Sequence, residues 1–331
     1  MSAQVDLRAA ACTALALGAL LVLAGWGLTL GRFPIPAGDL VRALVGRGDR
    51  ETAFILLELR LPRILTAAMV GAMLAMSGTI FQGLLRNPLV SPDIVGVNAG
   101  ATLAAVFWIV HRLPAAGLPA AAFLGALAAA GTIYVLTWRG RIDPMRLILV
   151  GIGVGALLNA GTGWLLVRYS IYQVSEAVLW MSGSVYASDW QDVGVLAAGL
   201  AVLAPAGAAL MGPLRVLQLG ELSARGLGMP VERTWLALTA VGCALSGLAV
   251  SVAGPVGFVA FAVPHFARML VGALPSPEFY LFSGALGALL VLAADLFAQH
   301  ALPVSLPVGV VTAALGGPYF LFLLYRTSVR R

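Results

Sequence analysis

The feature that most constrains this chain is a series of long segments without a charged side chain. A helix needs about 20 apolar residues to cross the hydrocarbon core of a bilayer, and segments of about that length recur along the whole sequence. The run from Thr234 to Pro264 is too long for one crossing, and Gly254-Pro255 divides it into two helices. The pattern predicts ten transmembrane helices, at about 9–31, 64–85, 94–110, 113–138, 147–167, 193–214, 234–253, 256–267, 279–295 and 301–325.

Composition supports a membrane protein and argues against a soluble domain. Hydrophobic residues make up 60% of the 331 positions and charged residues only 10%, against about 25% charged in an ordinary soluble domain. Lipid must therefore be the solvent for most of the surface. We expect an all-α polytopic protein, with residues 1–331 forming a single transmembrane domain. The first apolar run has no clear cleavage site before Gly31, so we interpret it as an uncleaved helix.

The net charge of +6 does not indicate a nucleic-acid partner, because the arginines are spread singly between apolar runs. An even number of crossings places both termini on one side. With the termini in the cytoplasm, twelve arginines lie inside and eight outside. The short-loop arginines favour this orientation: inside are Arg139, Arg141, Arg146, Arg215, Arg225, Arg233, Arg326, Arg330 and Arg331.

Several kinds of chemistry are excluded by what the sequence lacks. All twenty basic residues are arginine, so no lysine is present to build a P-loop, and any ATP must be hydrolysed by a separate chain. Cys12 and Cys243 lie in apolar runs without CxxC spacing, and three scattered histidines form no metal cluster. We therefore expect no catalytic residues, no metal site and no cofactor bound by this chain.

The predicted helices also lack the acidic residues that bind the coupling ion of a secondary transporter. Asp295 is the one acid near a helix interior, and the predicted boundaries place it at a helix end. Gln82 and Asn159 are the polar, uncharged candidates for a translocation path or gate, although either could simply hydrogen-bond to a neighbouring helix. Small residues recur in the second and fifth helices and favour close helix packing in lipid: Gly71, Ala75, Gly78, Gly151, Gly153 and Gly155.

Three groups of motifs, in this order along the chain, resemble the FecCD-type permeases of iron-siderophore, haem and cobalamin ABC importers. The resemblance covers residues 57–325, nearly the whole chain. The motifs are Leu-Arg-Leu-Pro-Arg at 59–63 with Arg-Asn-Pro-Leu at 86–89; Leu-Gln-Leu-Gly-Glu-Leu-Ser-Ala-Arg-Gly-Leu-Gly at 217–228; and Gly-Phe-Val at 257–259, Pro-His-Phe-Ala-Arg at 264–268, Ala-Asp at 294–295, Leu-Pro-Val-Gly at 306–309 and Leu-Gly-Gly-Pro at 315–318.

The resemblance implies a type II ABC importer permease in a bacterial inner membrane. Such a subunit has ten helices and pairs with a second permease, two ATPase subunits that bind ATP and Mg²⁺, and a periplasmic binding protein. Segment 217–230 resembles the cytoplasmic coupling helices that contact the ATPase, and Arg60 and Arg63 match arginines that meet glutamates of the binding protein. The coupling residues it implies are Leu217, Leu219, Gly220, Glu221, Ala224, Arg225, Leu227 and Gly228.

Two positions depart from the family pattern. Gln299 stands where a third docking arginine is expected, and Ala260 stands where glycine is more common. Residues 91–101 resemble the siderophore branch, so a ferric siderophore is the expected cargo, with haem or cobalamin as alternatives. Outside this family, the remaining interpretations are an ion-coupled secondary transporter and a passive channel or structural membrane subunit.

Overall fold

The computed structural model describes residues 2–31, 33–46, 48–139, 142–272, 275–301 and 303–329. Those residues form α-helices joined by short turns, with no strand among them. Arg141, Arg330 and Arg331, which enter the orientation argument, lie outside the described residues. The helices are α1 Ser2–Thr29, α2 Ala37–Leu44, α3 Arg50–Phe54, α4 Leu61–Leu84, α5 Val97–Val110, α6 Leu118–Thr137, α7 Pro144–Arg168, α8 Ile171–Met181, α9 Trp190–Ala209, α10 Met211–Leu217, α11 Glu221–Gly226, α12 Val231–Ala253, α13 Val259–Val271, α14 Pro277–His300 and α15 Val308–Val329.

Ten of these helices correspond one to one with the predicted crossings. Among the described residues, seven helical stretches are long and apolar enough to span a bilayer, and α5, α13 and the first part of α15 are shorter apolar helices. The predicted division at Gly254-Pro255 is confirmed, because α12 ends at Ala253 and α13 begins at Val259. Gly254 takes a φ of +67°, a conformation that favours glycine and stops the helix.

Several predicted boundaries were wrong by five residues or more, including the end of α9, which stops at Ala209 and not at residue 214. Helix α14 does not end at Asp295 but continues to His300, because Arg63 pairs with the carboxylate inside the protein. The last helix begins at Val308, not residue 301, since Pro303 and Pro307 lack the N–H groups that a longer helix would need. Helix α1 extends back to Ser2, and α6 begins only at Leu118.

Charge-free runs also missed the helices that do not cross the membrane. The segment between α7 and α9 contains α8, whose first turn has a capping box formed by Ser170 and Gln173. The loop after α1 contains α2 and α3, and a π-helical turn over Ile55–Arg60 then leads into α4. The capping residues and the short lengths explain why hydropathy alone did not reveal these elements.

Helix α4 lies at the centre of the bundle and packs against α9, α12, α13 and α14. Glycines allow this packing, as the small-residue pattern predicted. A Cβ atom placed on Gly71 would lie 2.2 Å from the carbonyl oxygen of Gly287, and one on Gly78 would lie 1.8 Å from that of Ala260. The backbone of Ala260, and not its methyl group, faces α4, so alanine is accommodated at this departure from the family.

Helix α7 lies at the edge of the bundle, although it has similar small residues. Its buried positions are Leu147, Gly151, Thr162 and Leu165. Others, such as Ile148, Val150 and Val154, are half-buried against the core, and the rest of the helix presents an exposed face. No atom outside the helix lies within 4 Å of a Cβ placed on Gly153 or Gly155. The small residues of α7 therefore leave an open surface within this subunit.

Candidate functional site

The predicted coupling segment contains one short helix, α11, and glycines separate it from α10 before it and α12 after it. Helix α10 ends at Leu217, and α11 begins at Glu221 after Gly220, which has a φ of +107°. Gly228, with a φ of +79°, follows α11 and turns the chain into α12. The glycines therefore break the chain on both sides of α11, as the sequence predicted.

Three leucine side chains project from this segment and are largely exposed in the part of the subunit that the structure describes. Leu219, Leu222 and Leu227 are 66%, 88% and 69% exposed, whereas Leu217 and Ala224 are buried. Leu217 and Ala224 thus fix the segment to the bundle, and the three exposed leucines form a protruding surface, which we call the leucine knob. Arg225 is paired with Glu232 at the start of α12, which holds the second half of the segment in place.

Two polar side chains join the coupling segment to the end of α4. The Arg86 guanidinium donates to the carbonyl oxygen of Leu217 at 2.6 Å. Gln218 donates a longer hydrogen bond, of 3.5 Å, back to the carbonyl oxygen of Gly83. The sequence had suggested no role for Arg86. Its position directly after a buried helix is the feature that could have indicated a contact with another segment.

Gln82 links α4 to α13, and it also lines a cavity of about 380 Å³ at this end of the bundle. Its side chain is 3% exposed and its amide nitrogen donates to the carbonyl oxygens of Phe261 at 2.9 Å and Ala260 at 3.4 Å on α13. Pro264 has no N–H, so the Ala260 carbonyl lacks the donor that a residue four positions later supplies in a regular helix. The Gln82 amide supplies that missing donor, and its oxygen accepts a hydrogen bond from Arg268.

Arg60, one of the two predicted docking arginines, bonds to the C-terminal end of α1. Its guanidinium donates to the carbonyl oxygens of Leu28 at 2.6 Å and Phe33 at 2.7 Å. A helix leaves its last carbonyl groups without intrahelical donors, and Arg60 satisfies one of them. The side chain remains partly exposed at this end of the bundle.

Arg63, the second docking arginine, forms a two-pronged ion pair with Asp295. Its Nε and Nη2 atoms lie 2.9 and 2.8 Å from the two carboxylate oxygens. The Asp295 side chain is 1% exposed and that of Arg63 only 12%. Gln299, which stands where the family pattern has an arginine, also donates to Asp295, at 2.7 Å. Arg63 and Gln299 therefore bind the same carboxylate.

A cavity of about 630 Å³ adjoins this ion pair. Arg63 lies over the Tyr186 ring, with 5.3 Å between the guanidinium carbon and the ring centroid. The lining combines aromatic, acidic and hydroxyl groups from several segments, including α8, which sequence reasoning missed. Lining side chains include Arg63, Glu176, Trp180, Tyr186, Ser188 and Asp192.

The remaining candidate, Asn159, lies on the exposed face of α7. The structure thus brings Gln82 close to the coupling segment through Arg86, and it brings Arg60 and Arg63 to the opposite end of α4. Asn159 joins neither group within this subunit. Among the described residues, no cluster of three or more His, Cys, Asp or Glu side chains could hold a metal ion.

Comparisons with known proteins agree in the family they indicate. The model of the FecCD transport family matches residues 19–326. The ferric enterobactin transport system permease protein FepG of Escherichia coli (strain K12) is 40% identical over 325 residues, covering 96% of this chain and 97% of that protein. The cobalamin import system permease protein BtuC of Halobacterium salinarum is 41% identical over 310 residues, covering 91% of this chain and 82% of that protein.

A solved structure has the same fold over nearly its whole length. It is an inward-facing conformation of an ABC transporter described as being of the metal-chelate type. Its TM-score against this chain is 0.85 at 28% sequence identity, with 95% of this chain and 98% of that chain covered. The all-helical architecture predicted from the sequence is therefore confirmed.

Proposed function

Because the chain belongs to the FecCD transport family, we propose that it carries a ferric siderophore across the bacterial inner membrane as the permease subunit of an ATP-driven importer. Relatives named for ferric siderophores, FepG among them, support this cargo. The observation that carries the proposal is the leucine knob, which exposes three leucines on a segment otherwise fixed to the bundle. An apolar protrusion of this kind fits a groove on a second protein.

We assign the leucine knob to the interface with a separate ATPase subunit, two copies of which serve the complete transporter. The missing lysine rules out a P-loop in this chain, so ATP and Mg²⁺ belong to that partner. The three knob leucines, Leu219, Leu222 and Leu227, make the direct contacts in this proposal. Leu217, Gly220, Glu221, Ala224, Arg225 and Gly228 set the shape of the segment.

At the opposite end, a periplasmic binding protein delivers the cargo. Arg60 is the better placed of the two proposed docking arginines, since Arg63 is 12% exposed and directs two guanidinium nitrogens at Asp295. Arg63 contributes by fixing the outer ends of α4 and α14. Charge-assisted contacts of this kind supply registration and association rate more than affinity.

A second permease subunit, either another copy of this chain or a related one, covers the exposed face of α7. Small residues allow close approach between helices in lipid, and Gly153 and Gly155 leave room for it. Asn159 lies on this face, so it would border the path between the two subunits. Both termini lie in the cytoplasm in this arrangement.

Cobalamin and haem are the alternative cargoes. The similarity to a cobalamin import permease favours the first of these directly. In either case the binding protein sets much of the choice, and this chain passes the cargo on. An ion-coupled mechanism has less support, because Asp295 is already neutralised by Arg63.

The proposal is tested by uptake into proteoliposomes holding this chain and its candidate ATPase, with binding protein outside and ATP inside. Labelled ferric siderophore should accumulate only when all three proteins and ATP are present. Unlabelled ferric siderophore should compete with it, and excess cobalamin or haem should not. Competition by cobalamin or haem alone would reassign the cargo, and uptake without the ATPase would overturn the importer assignment.

A further inference from the structure

Polar contacts connect the coupling segment to the proline-interrupted helix α13 through the end of α4. Arg86 bonds the carbonyl oxygen of Leu217 at 2.6 Å, and one turn earlier on α4 Gln82 bonds that of Phe261 at 2.9 Å. Three helices, α10, α4 and α13, are therefore tied at one end of the bundle. We propose that Arg86 and Gln82 are positioning residues that transmit movement of the coupling segment to α13.

The Arg86 contact is suited to transmitting a force because it is charge-assisted and fixed at its α4 end. Arg86 directly follows the last turn of α4, with a φ of +49°. Its backbone is held on both sides: Leu85 before it is buried, and the N–H of Asn87 after it donates to the carbonyl oxygen of Gln82. Its acceptor is the backbone of Leu217, which is 4% exposed. A displacement of the coupling segment therefore acts on the end of α4 and not on a free side chain.

The Gln82 contact passes the displacement to the weakest point of α13. Pro264 removes the donor for the Ala260 carbonyl, so this part of the helix depends on a donor from α4. Gln82 provides that donor, and its oxygen is held in turn by Arg268, one turn beyond Pro264. Gln82 thus bonds on both sides of Pro264, where a small change in angle would move the two halves of α13 apart.

The close approach of the backbones keeps α4 and α13 together during such a movement. A Cβ on Gly78 would lie 1.8 Å from the Ala260 carbonyl oxygen, so the two helices are in direct backbone contact one turn from Gln82. Rotation about this contact is possible, but separation is not needed. The link therefore predicts that α13 follows the coupling segment, and that breaking it leaves each part folded but uncoupled.

The test uses the complete transporter in proteoliposomes and measures cargo transported per ATP hydrolysed. This inference rests on the proposed function, so wild-type uptake that needs ATP is the first requirement. Arg86→Met removes the donors but keeps the apolar stem, and Gln82→Met does the same for the amide. We expect each variant to keep ATPase binding and ATP hydrolysis while transport per ATP falls about fivefold or more, a typical coupling between distant sites.

Two control variants are matched to these changes. Gln173→Met removes an amide-to-carbonyl bond of 2.8 Å to Val110 and the capping-box contact with Ser170, both of which lie outside the link. Arg233→Met removes an exposed arginine at the start of α12. Both controls should transport the wild-type amount per ATP. Arg86→Lys, which retains one charged donor, should recover part of the coupling that Arg86→Met loses.

The double variant Arg86→Met/Gln82→Met distinguishes a single link from two separate effects. If the two residues act in series, the double variant should lose no more than the worse single variant. Losses that multiply would overturn the link. So would Arg86→Met transporting the wild-type amount per ATP, or losing ATPase binding and transport in parallel. If wild-type protein takes up cargo without ATP, the proposed function fails instead.

Discussion

Helices α4 and α7 are both long, apolar and rich in small residues, yet the bundle uses them in opposite ways. In its most apolar window, the stretch that contains α4 is 83% buried, and α7 is 17% buried. Gly78 lies directly against the backbone of α13, whereas Gly155 faces open space. Hydrophobicity therefore does not separate core from surface in this protein, since lipid and protein interior are both apolar. What distinguishes α4 is a set of polar residues that bond to neighbouring helices, namely Arg63, Ser77, Thr79 and Gln82.

The largest difference in stability is expected between substitutions of Gly78 on α4 and Gly155 on α7. Gly78→Ala places a methyl group where the Ala260 carbonyl now lies, so α4 and α13 must separate, at a cost above about 4 kcal/mol, or the subunit does not fold. Gly155→Ala should change stability by no more than about 1 kcal/mol. Thermal unfolding of both variants in one detergent measures the contrast; equal midpoints would contradict the assigned packing of α4.

The next largest difference in stability is expected between substitutions of the arginines at the outer ends of α4 and α7. Among the described residues, Arg63→Met leaves the buried Asp295 carboxylate with Gln299 as its remaining side-chain donor, which should cost about 3–5 kcal/mol. Arg168→Met, on the exposed end of α7, should cost about 0.5 kcal/mol or less. Adding Asp295→Leu to Arg63→Met should restore most of the loss in a denaturation series. If Asp295→Leu does not restore stability, the lost ion pair is not what destabilises the Arg63→Met variant.

A third variant tests whether the open face of α7 contacts another subunit. Gly155→Trp fills a space that is empty within one subunit, so the isolated chain should unfold at the wild-type temperature. If a second permease packs there, the large side chain should raise the dissociation constant of the pair about tenfold, equivalent to about 1.4 kcal/mol. Mass measurement across a protein dilution series reports the pairing. Unchanged pairing would place the contact on another face.

The smallest contrast compares two polar side chains. Ser77→Ala removes a buried hydrogen bond of 2.7 Å to the Gly242 carbonyl oxygen and should cost about 1 kcal/mol. Asn159→Ala, on the exposed face of α7, should stay within about 0.5 kcal/mol. Both values come from thermal unfolding of the purified subunit. A larger cost for Asn159 than for Ser77 would reverse the assignment of core and surface.

The crossings could be predicted from the sequence because charge-free length is a direct requirement of the bilayer. The division at Gly254-Pro255 could also be predicted, because the glycine and proline that are visible in the sequence are the residues that stop the helix. Asp295 was misplaced because its charge was taken to end the helix, and only the three-dimensional pairing with Arg63, 232 residues away, removes that charge. Long-range partners of this kind are not visible in one sequence.

The candidate site was predicted in part. Glycine spacing indicated the break within the coupling segment, and the structure shows which leucines it exposes. Gln82 stays a candidate for the path, since it lines a cavity of about 380 Å³, and the structure also shows the hydrogen bond between helices that was its alternative. Pro264 was the available signal, because a proline inside a helix leaves a carbonyl that a nearby donor can satisfy.

The energy source for uptake tests the account most directly. Proteoliposomes containing this chain and its ATPase would be loaded with ATP, supplied with binding protein and labelled ferric siderophore, and treated with ionophores that collapse proton and sodium gradients. The account predicts that accumulation continues at the same rate and stops when ATP is replaced by a non-hydrolysable analogue. Accumulation that stops with the ionophores and persists without ATP would contradict it, and would make Asp295 a candidate ion site.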